Sequence, residues 1–147
     1  MRHPIDLSVY LVLDPDLCGG AQGMIETTRA AVQNGATCVQ LRAPHWKKRA
    51  LVECGRALKS VLADFNVPLI INDHADVCLA VDAEGLHIGQ DDLSPIDARA
   101  IIGNVKILGL SVSNAQELSA VDTHLVDHLG IGPIFSTSTK PDASAAL

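Results

Sequence analysis

Aromatic side chains are scarce: one Trp, one Tyr and two Phe, 3% of the 147 residues. A core built on stacked rings is therefore excluded, and Val, Ile, Leu and Ala must fill the interior. That composition suits strands buried on both faces by helices, as in α/β folds. Positive charge is also short, with 11 Lys and Arg against 17 Asp and Glu and a net charge of −6. A general nucleic-acid binder needs a basic surface, so none is expected. An anionic small molecule stays allowed, because a few local basic residues or a metal ion can hold one. No segment approaches the ~20 apolar residues of a membrane span, and MRHPIDLSVYLVLDP at the start holds no apolar run of signal-peptide length. The four cysteines, Cys18, Cys38, Cys54 and Cys78, form no C-x-x-C pair. Three of them sit in apolar periodic segments, which predicts buried free thiols in a reduced, cytoplasmic setting. No low-complexity stretch or linker divides the chain, so residues 1–147 are read as one domain.

What is present is alternation. Short apolar runs stand at Val9–Leu13, Cys38–Leu41, Leu69–Ile71, Leu86–Ile88, Ile107–Leu110 and Leu125–Ile131. Between the second and third, Leu51, Cys54, Leu58, Val61, Leu62 and Phe65 fall at spacings of three and four, one face of an amphipathic helix. Ile25, Thr28 and Val32 repeat the pattern more weakly, with Gly35 as a C-terminal stop. Ala115, Leu118 and Val121 do so again, with Ser113 or Asn114 as the cap. Strand and helix in six alternations predict a parallel sheet with right-handed crossovers.

An open α/β sheet and a (β/α)8 barrel both satisfy that pattern. The open sheet places its ligand at one switch point, whereas the barrel gathers residues from the C-terminal ends of many strands. Here nearly every run ends on polar residues: Asp14, Arg42, Asn72-Asp73, Gln90 to Asp92, Ser111, and Ser136 to Lys140. One polar group per strand end favours the barrel. A closed barrel has eight strands and about 250 residues, so six runs predict an incomplete one, with open edges through which copies can associate.

GLHIGQDDL (Gly85–Leu93) and GIGPIFSTSTK (Gly130–Lys140) stand in order with YLVLDP (Tyr10–Pro15), VQLR (Val39–Arg42), IINDHADVCLAV (Ile70–Val81) and GLSV (Gly109–Val112). Collinear from about Tyr10 to Asp142, this set resembles the thiamine-phosphate synthase (thiamine-phosphate pyrophosphorylase) family. The resemblance implies a TIM barrel. It also implies a transferase of thiamine biosynthesis that joins hydroxymethylpyrimidine diphosphate to thiazole phosphate with Mg2+, releasing pyrophosphate.

By that resemblance Asp73 and Asp92 are metal ligands, with Asp91 the adjacent alternative to Asp92. Mg2+ typically uses one or two carboxylates together with phosphate oxygens, which suits this pair. Gln40, Arg42 and Asn72 match diphosphate-contacting positions, and an Arg at a strand end can grip phosphate bidentately. Thr137, Thr139 and Lys140 match the family's T-x-T-K loop, and Ser111 a position near the pyrimidine and leaving group. Lys140 and Ser111 are thus the catalytic candidates. The family reads Q-x-R-x-K where this chain has Gln40-Leu41-Arg42-Ala43-Pro44, so one lysine is missing; Lys47 and Lys48 are the nearest substitutes. His87 reads as a satisfied core histidine, and His74, His124 and His128 show no metal-ligand spacing.

In the family, the seventh and eighth strands carry glycine-rich turns that hold the thiazole phosphate. Only PDASAAL follows Lys140, so the expectation is that 1–147 alone has little or no synthase activity. Two other readings stand beside this one. A thiazole tautomerase-like relative would tend to lack GQDD and TSTK, and a non-catalytic fragment would bind phosphate and metal, or self-associate, without turnover.

Overall fold

The structure, a computed structural model, describes residues 5–135. Strands β1 (Tyr10–Leu13), β2 (Cys38–Leu41), β3 (Leu69–Asn72), β4 (Gly85–Ile88), β5 (Ile107–Val112) and β6 (His128–Ile131) form one sheet in unbroken chain order. Every neighbouring pair is parallel. A doubly wound sheet reverses its strand order at a switch point; this one never does. The architecture is therefore the incomplete TIM-type barrel, six parallel strands wide. Among the described residues, β1 and β6 each have one edge without a strand partner.

The helices are α1 (Pro15–Cys18), α2 (Gly20–Gln33), α3 (Lys48–Ala63), α4 (Ala75–Val81), α5 (Pro95–Ile102) and α6 (Ala115–Ser119). Helix α3 buries Leu51, Cys54, Leu58, Val61 and Leu62 as its spacing predicts, but ends before Phe65, which is 37% exposed. Helix α2 stops at Gln33, and Gly35 follows with φ +102°, a conformation that glycine adopts without a Cβ clash. Asn114 caps α6, its side chain accepting from Glu117 N–H, while Glu117 Oε2 accepts from Ser113 N–H. The helix ends at Ser119, short of Val121.

The expected sixth strand begins later than its apolar run. Leu125 and Val126 both donate to the Asp122 carbonyl, so this stretch is a turn and pairing starts only at His128. Beside the turn lies a buried charge that periodicity does not reveal. Arg99 of α5, 5% exposed, donates from Nε to Leu125 O (2.7 Å) and from Nη1 to Gly103 O (3.1 Å) and Lys106 O (2.6 Å). Its Nη2 meets Asp127 Oδ2 at 2.5 Å, and that oxygen also accepts from Leu108 N–H at 2.8 Å. One guanidinium thus pins α5 to the entry points of β5 and β6.

Side chains alternate across the sheet. One set, including Leu13, Leu41, Ile71, Leu86, Ile88, Leu108 and Leu110, packs against the helices as the main core. The other faces the concave interior, where Cys38, Ile70 and Ile107 form a second cluster with Ile5 and Tyr10. Gly85 lies in this layer between Ile70 and Ile107, and a Cβ there would stand 2.6–2.7 Å from both. Above the cluster the interior turns polar. Cys38, Cys54 and Cys78 are buried and free, and burial pushes their thiols up to about 12, 11 and 11 respectively. They stay protonated at neutral pH. Among the described residues, no helix is long and apolar enough to cross a membrane.

Candidate functional site

The strand register sets the polar layer. Asn72 of β3 sits beside His87 of β4, His87 beside Gly109 of β5, and Gly109 beside His128 of β6. Two residues further along β5, Ser111 faces the same way next to Gly130. Two cavities open from this layer at the C-terminal ends of the strands. The first, about 480 Å³, lies in the concave face and is walled by Leu7, Tyr10, Val12, Gln40, His87, His128 and Leu129. The second, about 360 Å³, is bounded by Asp73, Gly89 to Asp92, Ser113 and Glu117. Arg42, Asn72 and Ser111 line both.

Each wall has a local cause. Gln40 is 4% exposed and donates from Nε2 to Tyr10 Oη at 2.9 Å, so part of its hydrogen-bonding capacity is spent inside the barrel. Burial raises the Tyr10 phenol above its ordinary range, keeping it neutral. Asp73 turns the chain out of β3 with φ +62°, a left-handed conformation that Asp tolerates better than most residues. Its N–H donates to His87 O at 2.8 Å, and His74, not Asp73, is the N-cap of α4. Asp92 closes the loop after β4 by accepting from Gly89 N–H through Oδ2 at 2.7 Å. Gln90 Nε2 donates to Ser111 O at 2.7 Å and ties that loop to β5. Glu117, which sequence reasoning did not single out, brings another carboxylate to the second cavity.

Three further interior residues were also missed as a group. His87 Nε2 lies 2.9 Å from Ser111 Oγ, and His87 Nδ1 lies 3.4 Å from His128 Nε2. The His128 ring is 5.7 Å, centre to centre, from that of Tyr10. His87 is therefore a half-buried cavity residue bonded to Ser111 rather than a plain core histidine. Period-two alternation puts each on the inner face, but only the register between strands shows that they meet.

Of the residues picked from sequence, Gln40, Arg42, Asn72, Asp73, Asp91, Asp92 and Ser111 all border one or both cavities. Thr137, Thr139 and Lys140 lie outside the described residues. Lys48 does not substitute for the missing lysine: its Nζ is 2.5 Å from Asp76, and it lines a separate groove on the helical side with Arg49 and Glu53. Lys47 borders neither cavity.

The donors of the second cavity are carboxylate and amide oxygens, the ligand chemistry of Mg2+ rather than of zinc or copper. Among the described residues, no group of three or more His, Cys, Asp and Glu is placed to hold an ion alone. Two carboxylates across a cavity suit an ion that completes its shell with phosphate oxygens and water. In that sense the residues fit Mg2+.

The family described as Thiamine monophosphate synthase matches residues 9–147. A thiamine-phosphate synthase from Xanthobacter autotrophicus (strain ATCC BAA-1158 / Py2) is 54% identical over 147 residues, covering all of this chain and 69% of that protein. One from Laribacter hongkongensis (strain HLHK9) is 49% identical with the same coverage. The solved thiamine phosphate pyrophosphorylase from Pyrococcus furiosus superposes with a TM-score of 0.77 at 29% identity, covering 86% of this chain and 61% of that one. The chain thus spans between three fifths and seven tenths of the length of these relatives.

Proposed function

The chain belongs to the thiamine monophosphate synthase family, and from that premise we propose that its two adjoining cavities hold a pyrimidine diphosphate and Mg2+. The reaction this serves is transfer of the pyrimidine methylene to the nitrogen of a thiazole phosphate, with release of pyrophosphate. The observation that carries the reading is the sharing of Arg42, Asn72 and Ser111 between a mostly apolar interior cavity and a carboxylate-lined outer one. The ring lies against Tyr10, Gln40 and His87, and the diphosphate crosses Arg42 and Asn72 toward Asp73 and Asp92.

The chemistry asks little of a general base. As the C–O bond to the diphosphate breaks, negative charge gathers on the departing oxygens, and preorganised donors there lower the barrier. Arg42 supplies a planar, permanently charged fork. Asn72 adds an amide, and Ser111 a hydroxyl at the junction of ring and leaving group. Mg2+ held by Asp73 and Asp92 supplies charge neutralisation to the diphosphate. Thr137, Thr139 and Lys140 are assigned to the same leaving group on their motif alone. Holding the thiazole nitrogen in line with the methylene is an orientation task, and the two cavities, taken up by the pyrimidine diphosphate and Mg2+, assign no residue to it. A cytoplasmic location, and association of copies through the unpaired edges of β1 and β6, belong to the same reading. The synthase names of the relatives do not favour the tautomerase alternative.

Arg42→Ala is expected to weaken pyrophosphate binding in the presence of Mg2+ by about 10–100-fold, the worth of one or two charge-assisted hydrogen bonds. Isothermal titration of the intact chain measures it. An unchanged affinity would make Arg42 a structural residue and remove the diphosphate from this position.

A further inference from the structure

Three rings and a hydroxyl line the concave face, and their contacts couple the proton positions of the two imidazoles. Ser111 Oγ, His87 Nε2, His87 Nδ1 and His128 Nε2 follow one another through contacts of 2.9 Å and 3.4 Å. The chain then stops, because His128 Nδ1 is buried and has no hydrogen-bond partner among the described residues. His128 is only 9% exposed. The two imidazoles reach each other across β5 only because residue 109 is glycine. A Cβ there would lie 2.3 Å from His128 Nε2 and 2.4 Å from His87 Nδ1.

A neutral imidazole carries one N–H and one bare nitrogen, so the row has two self-consistent settings. In one, His128 carries its proton on Nδ1, Nε2 accepts from His87 Nδ1–H, and His87 Nε2 accepts from the serine hydroxyl. That setting buries an N–H with no acceptor and consumes the only hydrogen of Ser111 inside the row. In the other, His128 Nε2–H donates to His87 Nδ1 and His87 Nε2–H donates to Ser111 Oγ. The unpartnered atom is then a bare nitrogen rather than an N–H, in keeping with backbone groups, among which orphaned buried N–H donors are rarer than under-satisfied acceptors. The Nε2–H form is also the intrinsically preferred tautomer of a neutral histidine side chain. Burial holds the His128 imidazole below the ordinary histidine range, with the charge of Asp127 acting the other way.

We infer that His128 is a positioning residue: it fixes His87 as the Nε2–H tautomer, so that the Ser111 hydroxyl is left to donate its hydrogen into the cavities. The ligand atom this suits is an acceptor, such as an ester or phosphate oxygen lying at the junction of the two cavities. The assignment of that oxygen rests on the diphosphate reading above; the tautomer does not.

The test is therefore made without substrate. In 15N-labelled 1–147 at neutral pH, long-range 1H–15N correlation of the histidine rings is expected to show His87 and His128 both protonated at Nε2 and bare at Nδ1. His128→Phe, which keeps a ring but removes the donor, is expected to lose the single-tautomer signature at His87. His128→Gln, whose amide N–H can replace the donor, is expected to retain it. A proton on Nδ1 of His87 in the wild-type chain overturns the inference, and so does an unchanged His87 signature in His128→Phe. The wild-type spectrum decides even if a variant fails to fold. Failure of pyrophosphate binding would leave these spectra unaffected, so the two readings fail separately.

Discussion

Asp127→Ala is expected to destabilise the chain by about 3–5 kcal/mol, because it strands a buried cation. Arg99 is 5% exposed and the Asp127 side chain 12% exposed, so neither charge is well screened by water. With the carboxylate gone, the guanidinium keeps its three carbonyl acceptors, Leu125, Gly103 and Lys106, but has lost its counter-charge. The Leu108 N–H loses its acceptor at the same time. Against a total stability of about 5–15 kcal/mol for a domain of this kind, that is a large share. The effect also reaches the site, since Asp127 immediately precedes His128 on β6. Urea unfolding at fixed protein concentration measures the loss; a change below about 1 kcal/mol would show that water replaces the carboxylate. The double variant Arg99→Met with Asp127→Leu still lacks the backbone bonds but has no uncompensated charge. Its loss is expected to be smaller than the sum of the two single losses, the sign of direct coupling.

Asp92→Ala is expected to cut the Mg2+-dependent part of pyrophosphate binding by about 100-fold or more, while leaving the fold intact. Substitutions that merely support a metal ligand cost about 10–100-fold, so loss of a direct ligand should reach at least the upper end. The structural cost is small, because Asp92 is exposed and the one described hydrogen bond of its side chain, from Gly89 N–H, closes a surface loop. Titration with pyrophosphate, with and without Mg2+, separates the metal term from the Arg42 term, and circular dichroism checks the fold. Full Mg2+ dependence in this variant would move the ligand elsewhere, with Asp91 beside it the first candidate.

Much of this arrangement could be read from the chain itself. Strand ends carry their polar residues in the sequence, so Arg42, Asn72, Asp73, Asp92 and Ser111 stand out in the chain itself, and the fold brings all five to two adjoining cavities. The order of the runs likewise implies neighbouring parallel strands, as observed. The remainder depends on register. Nothing in LHI, GLSV or DHLG says that His87, Gly109 and His128 share one row, since a shift of one residue would turn each strand's side chains to the other face. Arg99 was invisible for a different reason. On a helical wheel it is an ordinary charge, and only the carbonyls that converge from Leu125, Gly103 and Lys106 explain its burial. The late start of β6 follows the same logic, because the apolar Leu125 and Val126 are claimed by a turn onto Asp122.

The central proposal is that diphosphate and metal share the outer cavity. Crystals of the chain grown with pyrophosphate and Mn2+, a Mg2+ substitute with an anomalous signal, test it most directly. The expected result is one anomalous peak within coordinating distance of the Asp73 and Asp92 carboxylates, with pyrophosphate against Arg42 and Asn72. A metal peak away from both carboxylates, or pyrophosphate bound outside the shared wall of Arg42, Asn72 and Ser111, would contradict it.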